Sequence, residues 1–200
     1  MRRQLRGVNI ALVCIATAGT LAAWRPLAQP LTLAPESKLW FDGKSTVKDW
    51  ACKAPVMEAA VEAPAPGAVD AVLTGKKAVS TVTFTVPTMK LDCDNGTMNG
   101  HMRKALNAEK HGTITFKLTG YELATNGAVK GTLNGELTIN GVTKPIVLPV
   151  EFAKAEAGAL RVKGLYELKM TDWEVKPPKL MMGTMKVNEM VNVGFDLLLK

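Results

Sequence analysis

Hydrophobic and polar residues alternate along much of this chain, and the alternation is clearest over residues 137–150. Within that segment Asn140-Gly141 separates two apolar runs, and this dipeptide favours a type I′ turn, whose two central residues both need a positive φ. A strand presents alternate side chains to one face, so each run has an apolar face. With the neighbouring residues included, these faces consist of Leu133, Gly135, Leu137 and Ile139 on the first strand and of Ile146, Leu148, Val150 and Phe152 on the second. The segment therefore predicts a β-hairpin, which needs further strands to cover it.

Similar alternation predicts strands in several other segments. Apolar and polar residues alternate with a period of two in residues 79–86, 113–118, 129–139, 160–170 and 191–199. Shorter strands are expected at 39–43 and 46–52, and Asn126-Gly127 predicts a second hairpin turn. Residues 54–68 are rich in Ala and Pro. Because Pro is poorly tolerated inside a central strand, this segment is either an extended edge strand or a loop.

One helix is predicted, from Met98 to about Asn107. Met98, Met102 and Leu106 recur every four residues and form one apolar stripe. Thr97 precedes the stripe and is a suitable N-cap residue, since its side chain can accept a hydrogen bond from the first turn.

These elements predict an all-β protein of about eight antiparallel strands with one or two short helices. An open sheet with an apolar face needs a cover, and one convincing helix is too little. Closing the sheet on itself buries every apolar face and removes the exposed edges. The pattern therefore favours a β-barrel over a two-sheet sandwich.

The N-terminal segment is predicted to be an export signal rather than part of the fold. Three arginines precede an apolar run over residues 8–23, and small residues follow up to Ala28. This order is typical of a secretory signal peptide. A permanent membrane anchor is the less favoured alternative, because a span needs roughly 20 apolar residues. We expect residues 1–28 to be removed, which leaves residues 29–200 as a single domain.

More than half of the net positive charge of the chain lies in that signal. The whole chain has 25 basic and 18 acidic residues, whereas residues 29–200 have 21 basic and 18 acidic residues, a net charge of +3. A nucleic-acid-binding protein would need a clustered basic surface. We therefore expect no nucleic-acid partner.

Cys52 and Cys93 are the cysteines outside the signal. Two cysteines in an exported chain favour a disulfide. The alternative is two separate thiols, and catalysis by either is not expected because no histidine is near them in sequence.

Catalytic and metal-binding patterns are not found. His101 and His111 are the histidines of the chain, and neither belongs to a recognised metal-ligand spacing. No Gly-x-Ser-x-Gly nucleophile motif occurs, and Asp172 and Glu174 are interpreted as solvated loop acids. The sequence predicts neither an enzyme nor a cofactor or metal site.

The candidate ligand-binding positions are the apolar residues expected to point into the barrel. They are Phe84, Ile114, Phe116, Leu118, Leu148, Val150, Phe152, Val162, Tyr166, Leu168, Val193 and Phe195. An eight-stranded barrel is just wide enough for side chains or for one elongated ligand. From the pattern alone, a solidly packed barrel and an apolar tunnel remain open alternatives.

Four stretches, in this order, carry a resemblance to a known family: Gly43–Trp50, Met98–Leu106, Leu137–Lys144 and Leu168–Trp173. With them the chain resembles the YceI-like family, the polyisoprenoid-binding, lipocalin-like proteins of bacterial export compartments. The stretches span nearly all of the predicted mature chain. One departure is Lys48, which stands where the family pattern has a histidine.

The resemblance implies a lipocalin-like antiparallel barrel whose apolar tunnel holds a long isoprenoid tail. It implies a periplasmic carrier for an amphiphilic lipid, such as an isoprenoid quinone or a polyprenol, with transient membrane contact and homodimer formation as further expectations. It implies no metal and no catalytic centre. The alternatives are a ligandless interaction module connected with stress and an enzyme that acts on a lipid-like substrate.

The entrance of the tunnel is predicted from flexible and bulky side chains. These are Met98, Met102, Trp173, Met181 and Met182. Methionine is flexible and polarisable, which suits a surface that accepts varied apolar ligands. Ordinary core filling is the alternative role for the methionines.

Overall fold

The computed structural model describes residues 29–180 and 184–200. The predicted signal peptide, residues 1–28, lies outside the described residues, as do the entrance candidates Met181 and Met182. None of the helices in the described part is long and apolar enough to cross a bilayer.

The described residues form eleven strands, two α-helices and three short 3₁₀ turns. The strands are β1 Gln29–Leu31, β2 Lys38–Ser45, β3 Asp49–Lys53, β4 Glu58–Ala63, β5 Thr81–Pro87, β6 Thr113–Asn126, β7 Ala128–Ile139, β8 Val142–Lys154, β9 Leu160–Lys169, β10 Lys179–Leu180 and β11 Met185–Leu199. The helices are α1 Ala68–Leu73 and α2 Gly96–Ala105. The 3₁₀ turns are Thr88–Lys90, Glu156–Gly158 and Met170–Trp173.

Ten of these strands form one continuous antiparallel order, β1-β4-β5-β6-β7-β8-β9-β11-β2-β3, and β10 pairs with β11. The prediction of about eight strands was therefore too low. The Ala- and Pro-rich segment contains β4, and residues 29–31 add β1, which is too short to show a period of two. The same segment leads into α1, a six-residue helix that the sequence pattern did not indicate.

The segment after β1 joins one end of the strand order to β11, near the other end. Strand β1 pairs with β4, and the residues that follow β1 pair with the end of β11. The Thr32 N–H donates to the Lys200 carbonyl at 2.8 Å, and the Lys200 N–H donates to the Thr32 carbonyl at 3.0 Å. The Ala34 N–H donates to the Leu198 carbonyl at 2.8 Å. The sheet therefore curls into the antiparallel barrel that the sequence predicted.

The other end of the strand order is β3, and a disulfide ties it to the segment that precedes α2. Cys52 on β3 is bonded to Cys93, as predicted. Beside this bond, Lys53 and Asp92 exchange backbone hydrogen bonds of 2.7 and 3.0 Å. This junction, which we call the disulfide seam, keeps β3 and α2 together.

The hairpin of β7 and β8 has the predicted turn. Ile139 pairs with Val142, and Asn140 and Gly141 between them have φ values of 52° and 78°. Helix α2 differs from the prediction in its cap. Asn95, not Thr97, is the N-cap residue, because the Asn95 side chain accepts a hydrogen bond from the Met98 N–H at 3.0 Å.

Candidate ligand-binding cavity

The barrel encloses an apolar cavity of about 690 Å³. Binding sites for small molecules usually have volumes of several hundred cubic ångströms, so this space is large enough for a sizeable ligand. All the predicted wall positions except Val150 line it: Phe84, Ile114, Phe116, Leu118, Leu148, Phe152, Val162, Tyr166, Leu168, Val193 and Phe195. Their role in ligand binding stays a prediction.

Val150 is the exception among the predicted wall positions. It is only 3% exposed and belongs to the packed cluster that also contains Val129, Phe152 and Leu160. Its neighbours on the same face, Leu148 and Phe152, line the cavity, whereas Val150 is not among the lining residues of the described chain. A shared strand face therefore did not ensure contact with the open space.

The interior is not packed solid with side chains. Inward residues such as Phe84, Leu148 and Val193 are only half-buried, although they lie on the cavity wall. Their remaining exposed surface faces the cavity. Of the two alternatives that the sequence left open, the structure therefore favours an apolar internal space over a solidly packed barrel.

Glycines on neighbouring strands keep two large rings against the wall. A Cβ atom added at Gly135 would overlap the Phe116 ring, and one added at Gly164 would overlap the Phe195 ring. Gly164 pairs directly with Phe195 across β9 and β11. Because each ring occupies the space above a glycine, it stays at the wall rather than crossing the barrel.

One end of the barrel is closed by α1. Helix α1 lies against β8, and its Val72, 2% exposed, belongs to a buried cluster with Val129 and Leu160. The sequence had given no role to this helix. It makes the cavity end in an apolar floor.

Trp173 is fixed at the opposite end, beside the β7–β8 turn. It is 3% exposed, and its indole N–H donates to the Leu137 carbonyl at 3.0 Å. The Asn140 side chain donates to the Trp173 carbonyl at 3.2 Å. Trp173 lines the cavity as a buried wall residue, and its role at the entrance stays a prediction.

Polar side chains meet the cavity mainly between the β2–β3 turn and α2. They are Ser45, Lys48, Asp49, Asn95, Thr97 and His101. Met98 and Met102 on α2 lie among them, as does Met185 at the start of β11. We call this region the mouth. Met98 and Met102, two of the predicted entrance residues, lie in this region.

Two tyrosines lie inside the mainly apolar wall. The Tyr121 hydroxyl accepts hydrogen bonds from the backbone N–H groups of Ala78, at 2.8 Å, and Val79, at 3.0 Å. Burial raises the pKa of Tyr166, and the negative charge of Asp172 raises it further. Tyr166 is therefore a neutral hydroxyl at neutral pH and suits an uncharged part of a ligand.

The disulfide seam forms part of the mouth wall. Cys52 and Cys93 both line the cavity, and the Cys93 sulfur lies 3.6 Å from the Met102 sulfur. At the seam the Lys53 ammonium lies 2.6 Å from an Asp94 oxygen. The seam thus joins β3 to the segment that leads into α2 at the mouth.

The two histidines lie in different surroundings. His101 lines the mouth, whereas His111 packs against Gly141 of the β7–β8 turn. Within residues 29–180 and 184–200, no group of three His, Cys, Asp or Glu side chains is arranged to hold a metal ion.

Several wall residues were not among the predicted positions. Leu39, Phe41, Trp50, Val82 and Leu91 line the cavity together with the predicted positions. Leu39 and Phe41 do alternate in sequence, so parity within 39–43 would have identified them. The polar residues of the mouth gave no such signal, since they come from separate turns.

Comparisons with known proteins agree with this architecture. Residues 46–199 match the YceI-like domain. A UPF0312 protein of Ectopseudomonas mendocina is 35% identical over 103 residues, which cover 48% of this chain and 53% of the relative. A UPF0312 protein of Azotobacter vinelandii is 32% identical over 108 residues, which cover 50% of this chain and 55% of that protein. The chain thus spans about half the length of the curated relatives it matches.

Two solved structures have a similar fold. BcnA of Burkholderia cenocepacia superposes with a TM-score of 0.64 at 19% identity, covering 81% of this chain and 95% of its own. A polyisoprenoid binding domain from Saccharophagus degradans, implicated in plant cell wall breakdown, gives a TM-score of 0.63 at 14% identity, covering 85% and 97%. At these identities the likeness establishes the fold.

Proposed function

Because this chain belongs to the YceI-like family, we propose that it is a carrier that holds a long isoprenoid-type amphiphile tail-first in its barrel. The observation that carries the proposal is an apolar cavity of about 690 Å³ whose charged side chains gather at one mouth. An amphiphile has the same division between an apolar tail and a polar head.

The tail supplies the binding free energy. Each buried CH₂ group contributes about 0.8 kcal/mol, so a tail of about fifteen carbons gains roughly 12 kcal/mol before losses. Ordering the ligand removes part of this gain. The remainder suffices for useful affinity without a buried charged contact, which agrees with the apolar wall.

The polar head belongs at the mouth. Lys48 and His101 offer donors there, and Asp49 offers an acceptor. These groups suit the carbonyl and hydroxyl oxygens of an isoprenoid quinone or a polyprenol. The relative from Saccharophagus degradans, described as a polyisoprenoid binding domain, supports this lipid class.

The proposed place of action is the periplasm. The signal-like sequence of residues 1–28 supports export, and the Cys52–Cys93 disulfide agrees with an oxidising compartment. The carrier would take its lipid during transient contact with a membrane and hold it during transfer through water. Binding and release are its function, without chemical change of the lipid.

Native mass spectrometry of the exported protein, followed by organic extraction of what co-purifies, tests this proposal. We expect a stoichiometric adduct whose extract contains an isoprenoid lipid, and the same spectrum reports whether the protein is a homodimer. Bare protein that also takes up neither added quinone nor polyprenol would contradict the carrier function. That result would favour a ligandless interaction module.

A further inference from the structure

We propose that the mouth docks on an anionic lipid bilayer through a basic rim, which consists of Lys48, Lys179 and Lys186. This inference rests on the proposed carrier function and adds to it the membrane partner and the face that meets it. All three lysines are exposed.

Backbone pairing holds the rim together. The Thr46 N–H in the β2–β3 turn donates to the Lys186 carbonyl at 3.0 Å, and the Lys186 N–H donates to the Thr46 hydroxyl oxygen at 3.1 Å. Lys179 pairs with Lys186 across β10 and β11. The turn that contains Lys48 and the hairpin that contains the other two lysines therefore form one surface.

The pair of Lys179 and Lys186 is unfavourable for the protein alone. Directly opposite residues on antiparallel strands project their side chains to the same face, and like charges in such a pair destabilise the sheet. Such an exception to local sequence rules is typical of functional sites. An anionic surface would remove the repulsion between these two lysines.

Carboxylates within the described chain do not neutralise the rim. In residues 29–180 and 184–200, none of the three lysines has an ion pair within 4.0 Å. Glu189, on the same strand as Lys186, contacts the Lys169 ammonium at 3.4 Å and accepts a hydrogen bond from Thr171. The carboxylate of Asp49 lies at the mouth beside Lys48, but one negative charge does not cancel the three positive charges of the rim lysines.

An apolar residue stands at the tip of the rim. Val47 is 66% exposed, the largest exposure among the large hydrophobic residues of the described chain. The Ser45 side chain shapes the turn, because its hydroxyl donates to the Lys48 carbonyl at 2.8 Å and accepts from the Lys48 N–H at 3.1 Å. An apolar tip among lysines suits the boundary between lipid headgroups and acyl chains.

The rim adjoins the opening through which a lipid would pass. Lys48 itself lines the mouth, and so do Met185 and Val187, the neighbours of Lys186. Docking by the rim would therefore turn the opening toward the bilayer, and the tail would enter the cavity without crossing water. Lysines, which are point charges without fixed pairing geometry, suit a diffuse anionic surface better than a defined protein partner.

Sedimentation with lipid vesicles tests the docking surface. The probes are vesicles of phosphatidylcholine alone and of equimolar phosphatidylcholine and phosphatidylglycerol, at low and high salt. We expect binding to the anionic vesicles only, and loss of that binding at high salt because exposed charges are screened. Equal binding to both vesicles, or binding that is insensitive to salt, would overturn the proposal.

A pair of variants separates the rim from overall charge. Lys179→Gln with Lys186→Gln should weaken binding to anionic vesicles about 25-fold, since each lysine near such a surface contributes about fivefold. The control, Lys38→Gln with Lys76→Gln, removes the same charge from exposed lysines of β2 and the loop after α1. Equal losses in both variants would overturn the rim, and selective capture of an acidic protein instead of vesicles would do the same.

Uptake of a quinone from detergent micelles distinguishes the two proposals. Neither Lys179 nor Lys186 lines the cavity in the described chain, so both double variants should take up quinone as the wild type does. If the wild type binds quinone but not anionic vesicles, the docking proposal alone fails. If the wild type takes up neither quinone nor polyprenol, the carrier function fails.

Discussion

At the scale of single residues, the open space in the barrel depends on glycines, which have no side chain and leave room for neighbouring rings at the wall. Phe195 lies at the wall because Gly164, its direct partner on β9, has no Cβ. Phe116 lies over Gly135 in the same way. Strand glycines weaken a sheet, and here they make room for rings that would otherwise project into the lumen.

The substitution Gly164→Ala should therefore destabilise the protein by about 1–3 kcal/mol, because the new methyl group overlaps the Phe195 ring and forces it to move. Denaturation in urea measures the change in unfolding free energy. Gly120→Ala on β6 is the matched control, since an added Cβ there meets nothing within 4 Å. Equal costs for the two variants would contradict this account.

A second residue-scale feature is the ion pair of Arg161 and Asp196 on the outside of the barrel. The guanidinium donates to both carboxylate oxygens, at 2.7 Å and 2.5 Å, and Lys163 lies 3.7 Å from the same carboxylate. The hydrogen bonds from Arg161 are the main cause of a lowered pKa of Asp196, although partial burial opposes them.

The lowered pKa of Asp196 predicts a dependence of stability on pH. The ionised carboxylate stabilises the fold above the ordinary Asp pKa of about 3.9, and this contribution is lost as the pH falls through the lower native pKa. Asp196→Asn should therefore be less stable than the wild type at neutral pH, with the difference shrinking in acid. Thermal unfolding between neutral pH and strong acid measures this, with the exposed Glu109→Gln as control. A constant difference across that range would contradict the role of the pair.

At the scale of elements, the disulfide seam joins two neighbouring parts of the barrel that are not connected by a strand ladder. The ladder of strands ends at β3, and α2 lies beyond that end. Cys52–Cys93 and the adjacent backbone pair of Lys53 and Asp92 join the two. Because both cysteines also line the mouth, the seam connects stability with access to the cavity.

Replacing both cysteines, Cys52→Ser with Cys93→Ser, should lower the unfolding free energy by roughly 4 kcal/mol. The physical reason is that the bond closes a loop with a sequence separation of 41 and so restricts the unfolded chain. Denaturant unfolding of the oxidised protein, the reduced protein and the variant measures the effect. Reduction should match the substitution, and a change well below 1 kcal/mol would show that the bond is not needed for the seam.

At the scale of the whole molecule, an internal cavity of about 690 Å³ is a structural cost that a ligand would remove. Apolar surface that faces an unfilled space lacks the dispersion contacts of a packed core. The wall is nevertheless supported by paired strands, by the disulfide seam beside α2, by α1 at the floor and by Trp173 at the opposite end. A long tail fits this arrangement better than a compact polar ligand does.

Filling the cavity with a side chain should separate ligand binding from folding. Val193→Trp places a large ring in the space beside Tyr166, its direct cross-strand partner. We expect the variant to remain folded and to lose at least tenfold in affinity for an added quinone, measured by native mass spectrometry. Leu165→Trp, at a 60% exposed position on β9, is the control and should bind as the wild type does. Undiminished binding by Val193→Trp would mean that the ligand lies elsewhere.

Much of this molecule follows from local sequence. The period of two in the strands specified which residues face inward, the Asn140-Gly141 turn set the register of β7 and β8, and the cysteine count indicated the disulfide. These features depend on neighbours within one strand or one turn, so they can be read without knowing the rest of the fold.

Tertiary structure alone decided whether the barrel is filled and where it opens. The lumen stays open because rings on one strand lie over glycines on another, as Phe195 does over Gly164, and that match depends on register between strands. Val150 packs with Val129 and Leu160, and Val72 of α1 packs into the same cluster, so both placements also depend on contacts between separate elements. The mouth joins the β2–β3 turn, α2 and β11, which lie far apart in sequence, and its position follows only from the closure of the sheet.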